Sequence, residues 1–155
     1  MNMEKKILWS LVAALAAVLM VSCGNGDNLP KEGSVNDYEY IFTVTAEKGE
    51  MHIFYTFDTD AKEILWSEEH RPIANKEKTF TNIKEGETKT YTFRIKEAKR
   101  VSVKGEVVAP NSMGTKGSYQ FEERLNGKKA RDKKEAIELE HNGVTQSFEF
   151  TSSSL

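Results

Sequence analysis

The sequence predicts an all-β fold, and three observations support this prediction. Apolar and polar residues alternate with a period of two through most of the chain after residue 37. Turn-forming residues separate these runs at roughly 8 to 12 residue spacing. The runs themselves are rich in β-branched and aromatic residues. Together these features are typical of a β-sandwich or a small β-barrel of about seven or eight strands.

The first two runs of alternation lie on either side of Gly49. Each run has one apolar face, formed by Tyr38, Tyr40, Phe42 and Val44 in the first and by Met51, Ile53, Tyr55 and Phe57 in the second. Such alternation predicts half-buried strands, and a tight turn at Gly49 predicts that they form a hairpin. Phe54 lies on the face opposite to Phe57, so we expect one of these rings to be covered by something other than this sheet's own core.

Further strands are predicted after this pair. They cover residues 62–66, 78–83, 88–97, 100–109, 118–125, 136–140 and 144–150. Gly105 interrupts one run and predicts a β-bulge. Asn126-Gly127 and the turn at 141–143 predict two more hairpins. The segment 128–140 is rich in helix formers, so helix, strand and polar loop all remain open there.

Of the two architectures, we favour an immunoglobulin-like β-sandwich for residues 38–155. The spacing of the predicted strands agrees with this choice. The sequence lacks the Cys…Trp…Cys spacing of true immunoglobulin domains, so only the architecture is expected. The order of the strands is not readable from one sequence.

The chain begins with a charged segment and then an apolar one. Lys5 and Lys6 precede about fifteen uncharged residues, 7–21, which is the arrangement of a signal peptide. A membrane-spanning helix needs roughly 20 predominantly apolar residues. The length therefore favours a cleaved signal over a permanent membrane span.

The residues Met20, Val21 and Ser22 lead directly into Cys23. This stretch resembles the lipobox of bacterial lipoproteins, although leucine is commoner than Met20 and a small residue commoner than Val21. The resemblance implies that the Cys23 thiol is lipidated and that the chain is cut before it. Two or three acyl chains would anchor a soluble domain stably. The alternative is that Cys23 is an ordinary small apolar residue at the end of an uncut helix.

The expected organisation therefore has three parts. Residues 1–22 form a lipoprotein signal peptide, residues 23–37 a flexible tether rich in Gly, Asn and Asp, and residues 38–155 the sandwich. The whole resembles small bacterial lipoproteins that carry one immunoglobulin-like domain of uncharacterised function. Gly24, rather than aspartate, follows Cys23, and within this resemblance that favours the outer membrane. Whether the domain faces the periplasm or the cell exterior is left open.

The composition excludes several classes of function. The formal net charge is −2, with 22 basic and 24 acidic residues spread along the chain, so no nucleic-acid partner is expected. Cys23 is the only cysteine. Once lipidated, it leaves no thiol for a disulfide, a nucleophile or a metal. We also expect no cofactor.

The histidines and acidic residues suggest no established catalytic or metal motif. His52, His70 and His141 match no H-E-x-x-H pattern, and no hydrolase or phosphate-loop signature is present. Asp58, Asp60 and Glu69 imitate parts of an EF-hand loop, but Lys62 and Glu63 occupy positions that need a ligand and a glycine. The sequence therefore predicts no metal site.

The segment after Trp66 concentrates charge. Trp66, Glu69, His70 and Arg71 form a candidate binding surface on a loop, against the alternative of an ordinary solvated loop. The aromatic residues of the first two strands are expected in the core, although exposed aromatic rows also bind sugars or peptides.

These observations favour a lipid-anchored, non-enzymatic envelope module that binds an unknown protein or glycan or has a structural role. Two alternatives are kept. The first is a small inhibitor or accessory subunit of an envelope complex, whose charged loop inserts into a partner. The second is an envelope hydrolase with His70 and Glu68 or Glu69 as acid and base.

Overall fold

The computed structural model describes residues 33–153, which form two packed antiparallel β-sheets. The six-stranded sheet has the order β4-β3-β6-β1-β8-β9, and the four-stranded sheet has the order β10-β7-β2-β5. The ten strands in this part of the chain are β1 (Asn36–Lys48), β2 (Met51–Thr59), β3 (Ile64–Trp66), β4 (Arg71–Ile73), β5 (Lys78–Ile83), β6 (Thr88–Ala98), β7 (Arg100–Val108), β8 (Thr115–Leu125), β9 (Lys128–Leu139) and β10 (Thr145–Ser153).

The predicted all-β sandwich is confirmed, with ten strands instead of about seven or eight. β1 begins at Asn36, within the segment that the sequence assigned to the tether. Cys23 and the predicted signal peptide 1–22 lie outside the described residues. Residues 33–153 contain no helix of the length and apolarity that a membrane crossing requires.

The core is built from aromatic rings of both sheets. Phe42 of β1 lies near its centre, with ring centroids 4.9 Å from Tyr55 and 5.2 Å from Phe121. Tyr38 and Tyr40 are also buried, as expected. Tilted and edge-on pairs at these distances are favourable arrangements of aromatic quadrupoles. The alternation in the sequence therefore identified the inward face of both strands correctly.

The two strands that flank Gly49 do not form the predicted hairpin. β1 pairs with β6 and β8, whereas β2 pairs with β5 and β7 in the other sheet. Both strands have a strongly apolar face, and these faces pack against each other across the interior instead of lying side by side. The turn at Gly49 carries the chain between the sheets, and the turn at 141–143 does the same between β9 and β10. Of the three hairpin turns predicted from the sequence, only Asn126-Gly127 joins paired strands, β8 and β9.

Residues 128–140, for which three conformations were open, form the edge strand β9 over Lys128–Leu139. β9 pairs with β8 along its length, and Ile137 and Leu139 enter the core. The cross-strand ion pair of Lys116 with Glu138 adds a contact on the outer face. Tertiary pairing thus overrides the helix propensity of this segment, and its charges suit an edge strand.

Gly105 does not mark a bulge, contrary to the prediction. β7 pairs without a register shift, placing Gly105 opposite Tyr55 of β2 and Phe148 of β10. A Cβ atom at position 105 would lie 2.0 Å from Cζ of Phe148. The glycine is required because the Phe148 ring occupies the space of its missing side chain.

The five tyrosines of the chain make its stability sensitive to alkali. Burial raises the pKa of each of them: Tyr38, Tyr40, Tyr55, Tyr91 and Tyr119. A raised folded-state pKa favours the folded chain fully below the unfolded tyrosine pKa of about 10, and this contribution is lost as pH rises towards the folded values. We expect the urea midpoint to fall steadily above pH of about 10.

The control for this prediction is Tyr55→Phe, which removes one fully buried ionisable group. Its stability should decline less between neutral and alkaline pH than that of the wild type. An identical decline in both proteins would show that tyrosine ionisation does not cause the loss.

Candidate functional site

The predicted binding residues around Trp66 lie on the β3–β4 hairpin, whose loop is 67–70. The Trp66 ring is only 2% exposed and belongs to the core. Arg71 donates from Nε to Glu69 at 2.7 Å and from Nη1 to Glu77 at 3.0 Å. These contacts raise the pKa of Arg71. Its guanidinium carbon also lies 5.8 Å from the Trp66 ring centroid. The charged groups of this hairpin therefore pair mainly with one another and with Glu77.

His70 is exposed at the tip of this loop, with a φ of 50°. The carboxylates considered as its catalytic partners are engaged elsewhere. Glu68 accepts a hydrogen bond from the Thr92 backbone N at 2.8 Å, and Glu69 binds Arg71. His70 and Glu69 are both exposed to solvent, and no hydrogen bond joins His70 to Glu68 or Glu69.

Asp58 and Asp60, compared above with an EF-hand, have protein partners. Asp60 accepts hydrogen bonds from the backbone N atoms of Lys99 and Arg100 at 3.0 and 3.1 Å. Asp58 lies 3.5 Å from Nζ of Lys76. Within residues 33–153, no group of three or more His, Cys, Asp or Glu side chains is arranged to hold a metal ion.

A second surface lies on the outer face of the four-stranded sheet. We call His52, Phe54 and Phe80 the aromatic patch. Phe54 of β2 and Phe80 of β5 are cross-strand partners with ring centroids 5.2 Å apart, and the His52 ring meets Phe80 edge-on at 5.0 Å. Phe80 is 45% exposed, which is uncommon for a large apolar side chain in this domain. The position of Phe54 opposite Phe57 was visible in the sequence, whereas its contact with Phe80 was not.

A depression of about 470 Å³ adjoins the aromatic patch. It is lined by Phe54, Thr56, Lys78, Lys104, Gly105, Glu106, Ser147, Phe148 and Glu149. Lys78 places its Nζ 4.3 Å from the Phe54 ring centroid and 3.4 Å from Glu106. A second ion pair joins Lys104 and Glu149 at 3.2 Å. The surface thus combines an aromatic ring with donors and acceptors of both charges.

The most buried charge among the described residues is Glu123 on β8, which is 2% exposed. It accepts a hydrogen bond from the Tyr40 hydroxyl at 3.0 Å and contacts both Arg131 Nε and the Ser152 hydroxyl. Arg131 also donates to the Thr151 carbonyl of β10 at 2.9 Å. We call these groups the Glu123 cluster. Because they come from both sheets, the cluster ties the sheets together where β9 meets β10.

Burial, and then the charge of Glu123, raise the pKa of Tyr40 well above its usual value. Tyr40 therefore stays protonated and serves as a donor. Sequence reasoning missed this cluster. The signal was present, because Glu123 fills the one polar position in the inward series Tyr119, Phe121, Leu125.

The end of the domain nearest to the tether is fixed by Asn126. Its backbone N donates to the Asp37 carbonyl at 2.8 Å, its Oδ1 accepts from the Asp37 N at 2.9 Å, and its Nδ2 donates to Asn36 Oδ1 at 2.9 Å. The start of β1 is therefore bound to the β8–β9 turn.

Comparison with known proteins gives the fold and no established activity. No family model and no curated protein matches the chain. A domain of unknown function, DUF4425, from Bacteroides vulgatus ATCC 8482 superposes with a TM-score of 0.59 at 9% identity, over 78% of this chain and 98% of that chain. A DUF4425 family protein from Bacteroides ovatus ATCC 8483 gives 0.52 at 8% identity, over 79% and 99%. The calcium-bound form of a protein from Parabacteroides distasonis gives 0.52 at 11% identity, over 79% and 99%. This chain is thus similar in fold to domains whose function is uncharacterised.

Proposed function

We propose that this protein is a lipid-anchored, non-enzymatic binding module of the bacterial cell envelope. The observation that carries the binding role is the aromatic patch, where Phe80 remains 45% exposed beside a depression of about 470 Å³. Exposed aromatic residues next to a concave, partly polar surface are typical of ligand sites. The outer face of the four-stranded sheet is therefore the binding surface in this proposal.

The β3–β4 hairpin is a weaker candidate for the same role. Trp66 is buried, and Arg71 is held between two glutamates. A ligand would have to separate these pairs before it could use them. The aromatic patch presents the Phe80 ring 45% exposed, so a ligand can contact that ring before any ion pair is separated.

The anchor is proposed from the sequence around Cys23. The segment from Cys23 to Gly33 spans at most about 35 Å when fully extended. A lipid on Cys23 would hold the Asn126 end of the domain close to the bilayer. Gly24 supports a location in the outer membrane.

The absence of catalysis is proposed from the engagement of the candidate acid and base. Glu68 and Glu69 bind a backbone amide and an arginine, respectively, and His70 stands apart from both contacts. In this proposal His70 has no role in turnover, and its replacement should leave ligand binding unchanged.

Lipidation is tested by the intact mass of the detergent-extracted protein. The wild-type chain should begin at Cys23 and carry the added mass of its acyl groups, because thioether lipidation precedes the cut in lipoproteins. Cys23→Ala should carry no acyl mass and should leave the membrane fraction or retain residues 1–22. Ser22→Ala, which keeps a small residue before the cysteine, is the matched control and should resemble the wild type. A wild-type chain without acyl mass would contradict the anchor.

A further inference from the structure

We infer that the outer face of the four-stranded sheet binds a neutral carbohydrate chain. This inference rests on the proposed binding function and specifies the chemical class of its ligand. A sugar ring has one face of C–H groups and a rim of hydroxyls. A site for it needs a flat apolar surface surrounded by hydrogen-bonding groups.

The aromatic patch supplies the apolar surface, because each phenylalanine ring has one flat face. Phe54 and Phe80 are cross-strand neighbours on a rigid sheet, and their rings are tilted by 40° to each other. The negative faces of such rings attract the weakly positive C–H groups of a sugar. Because both side chains project from paired strands, the surface is preorganised and loses little entropy on binding.

The depression supplies the hydrogen-bonding rim. Thr56 and Ser147 contribute hydroxyls that have no hydrogen-bond partner among residues 33–153, and the two ion pairs contribute ammonium and carboxylate groups. All four charged side chains are about half exposed or more. Exposed ion pairs contribute little stability, so each group is free to exchange its partner for a sugar hydroxyl.

The charge of the rim selects a neutral ligand. Lys78 and Lys104 are balanced by Glu106 and Glu149, two positive against two negative. An acidic polysaccharide would be attracted to the lysines but repelled by the carboxylates at similar distance. Lys78 also covers one side of the Phe54 ring at 4.3 Å. The ligand would displace this ammonium, which is exposed and readily hydrated.

The same geometry disfavours a protein or peptide ligand. A standard protein interface buries about 800 Å² on each partner around an apolar centre, whereas this patch consists of two phenylalanines and a histidine. A peptide strand would need free backbone groups, yet β2 and β7 are paired on both sides. The free backbone groups of this sheet lie at the β5 and β10 edges and not on β2, which carries Phe54.

The test is affinity electrophoresis of the full chain in non-ionic detergent. Native gels would contain a soluble neutral glucan, xylan or mannan, with polygalacturonate as the acidic comparison. At least one neutral polysaccharide should retard the wild type. Phe80→Ile and Phe54→Ile keep apolar, strand-forming side chains but remove the rings, so the affinity should fall about tenfold in each.

Two matched controls separate the ring from other effects. Phe80→Tyr keeps an aromatic face and should retain binding. Leu65→Ala removes a 38% exposed side chain from the outer face of the other sheet and should bind like the wild type. Far-ultraviolet circular dichroism verifies that each variant is folded.

Several outcomes would overturn the inference. These are a lack of retardation in every neutral gel, retardation by polygalacturonate alone, or unchanged binding by both isoleucine variants. A wild-type dimer in sedimentation that Phe80→Ile converts to monomer would assign the patch to self-association instead. The mass measurement at Cys23 is an independent test. If the chain is acylated but binds no polysaccharide, the proposed anchored module is retained and only the carbohydrate ligand is rejected.

Discussion

Replacing Glu123 by leucine is expected to lower the free energy of unfolding by about 3 kcal/mol, at the lower end of the about 3–5 kcal/mol found when one partner of a buried ion pair is removed. The variant leaves the Tyr40 hydroxyl and the Arg131 guanidinium without their buried acceptor. The lower end applies because the Arg131 side chain is 37% exposed and regains water in part. Urea unfolding followed by circular dichroism measures the change.

The double variant Glu123→Leu with Arg131→Met is the decisive control. Replacing both partners of a buried pair by apolar residues of similar size is often neutral or stabilising. The double variant should therefore recover part of the stability lost by Glu123→Leu alone, while the Tyr40 hydroxyl still lacks its acceptor. If the loss in the double variant equalled the sum of the losses in Glu123→Leu and Arg131→Met, the energetic coupling assigned to the Glu123 cluster would be wrong.

Gly105→Ala is expected to cost about 3 kcal/mol, the upper part of the usual range for overpacking a core. The added Cβ would lie 2.0 Å from Cζ of Phe148. That ring cannot retreat easily, because it packs against Tyr119 at 5.1 Å and Phe42 at 5.8 Å. The urea midpoint should fall while the dependence on denaturant stays the same.

Phe148→Leu in the Gly105→Ala background tests the cause. The smaller side chain opens space over position 105, so the two substitutions should cost less together than the sum of their separate effects. Additive costs would mean that Gly105 is needed for some reason other than the ring above it.

Much of the fold was predictable because burial of one strand face imposes a period of two on the sequence. Tyr38, Tyr40 and Phe42 followed that pattern and were correctly placed in the core. The partner of each strand was not predictable in the same way. Alternation specifies which face is buried but not which neighbour supplies the hydrogen bonds, so β1 and β2 were wrongly joined across Gly49.

Short or highly charged strands were also difficult. β4 has three residues and contains Pro72, which removes a backbone donor and weakens any strand signal. In β9 the large apolar residues are confined to its second half. The first half is charged apart from Ala130, and such a composition is equally compatible with a helix. Pairing with β8 decides the conformation, and it is a long-range interaction.

The candidate site was predictable only in part. The sequence showed that Phe54 lies on the face opposite to the core, but Phe80 joins it through strand pairing 26 residues later in the chain. Trp66 and Arg71 were proposed for binding because aromatic and charged residues adjoin in the sequence. The structure leaves them in contact but with different exposure, since Trp66 is buried and the Arg71 side chain is 41% exposed. Proximity along the chain was therefore a poor guide to shared exposure.

The central position of β1 has a mechanical consequence. The chain enters the domain through this strand, which is held by β6 on one side and by β8 on the other. A pull on residue 33 directed along β1 would load both ladders of hydrogen bonds in shear instead of opening them one after another. An edge strand at the same place would peel away under less force. A domain that grips a large, moving polymer while tethered at its other end would gain resistance to tearing from this arrangement, because survival under load depends on the rate of forced unfolding.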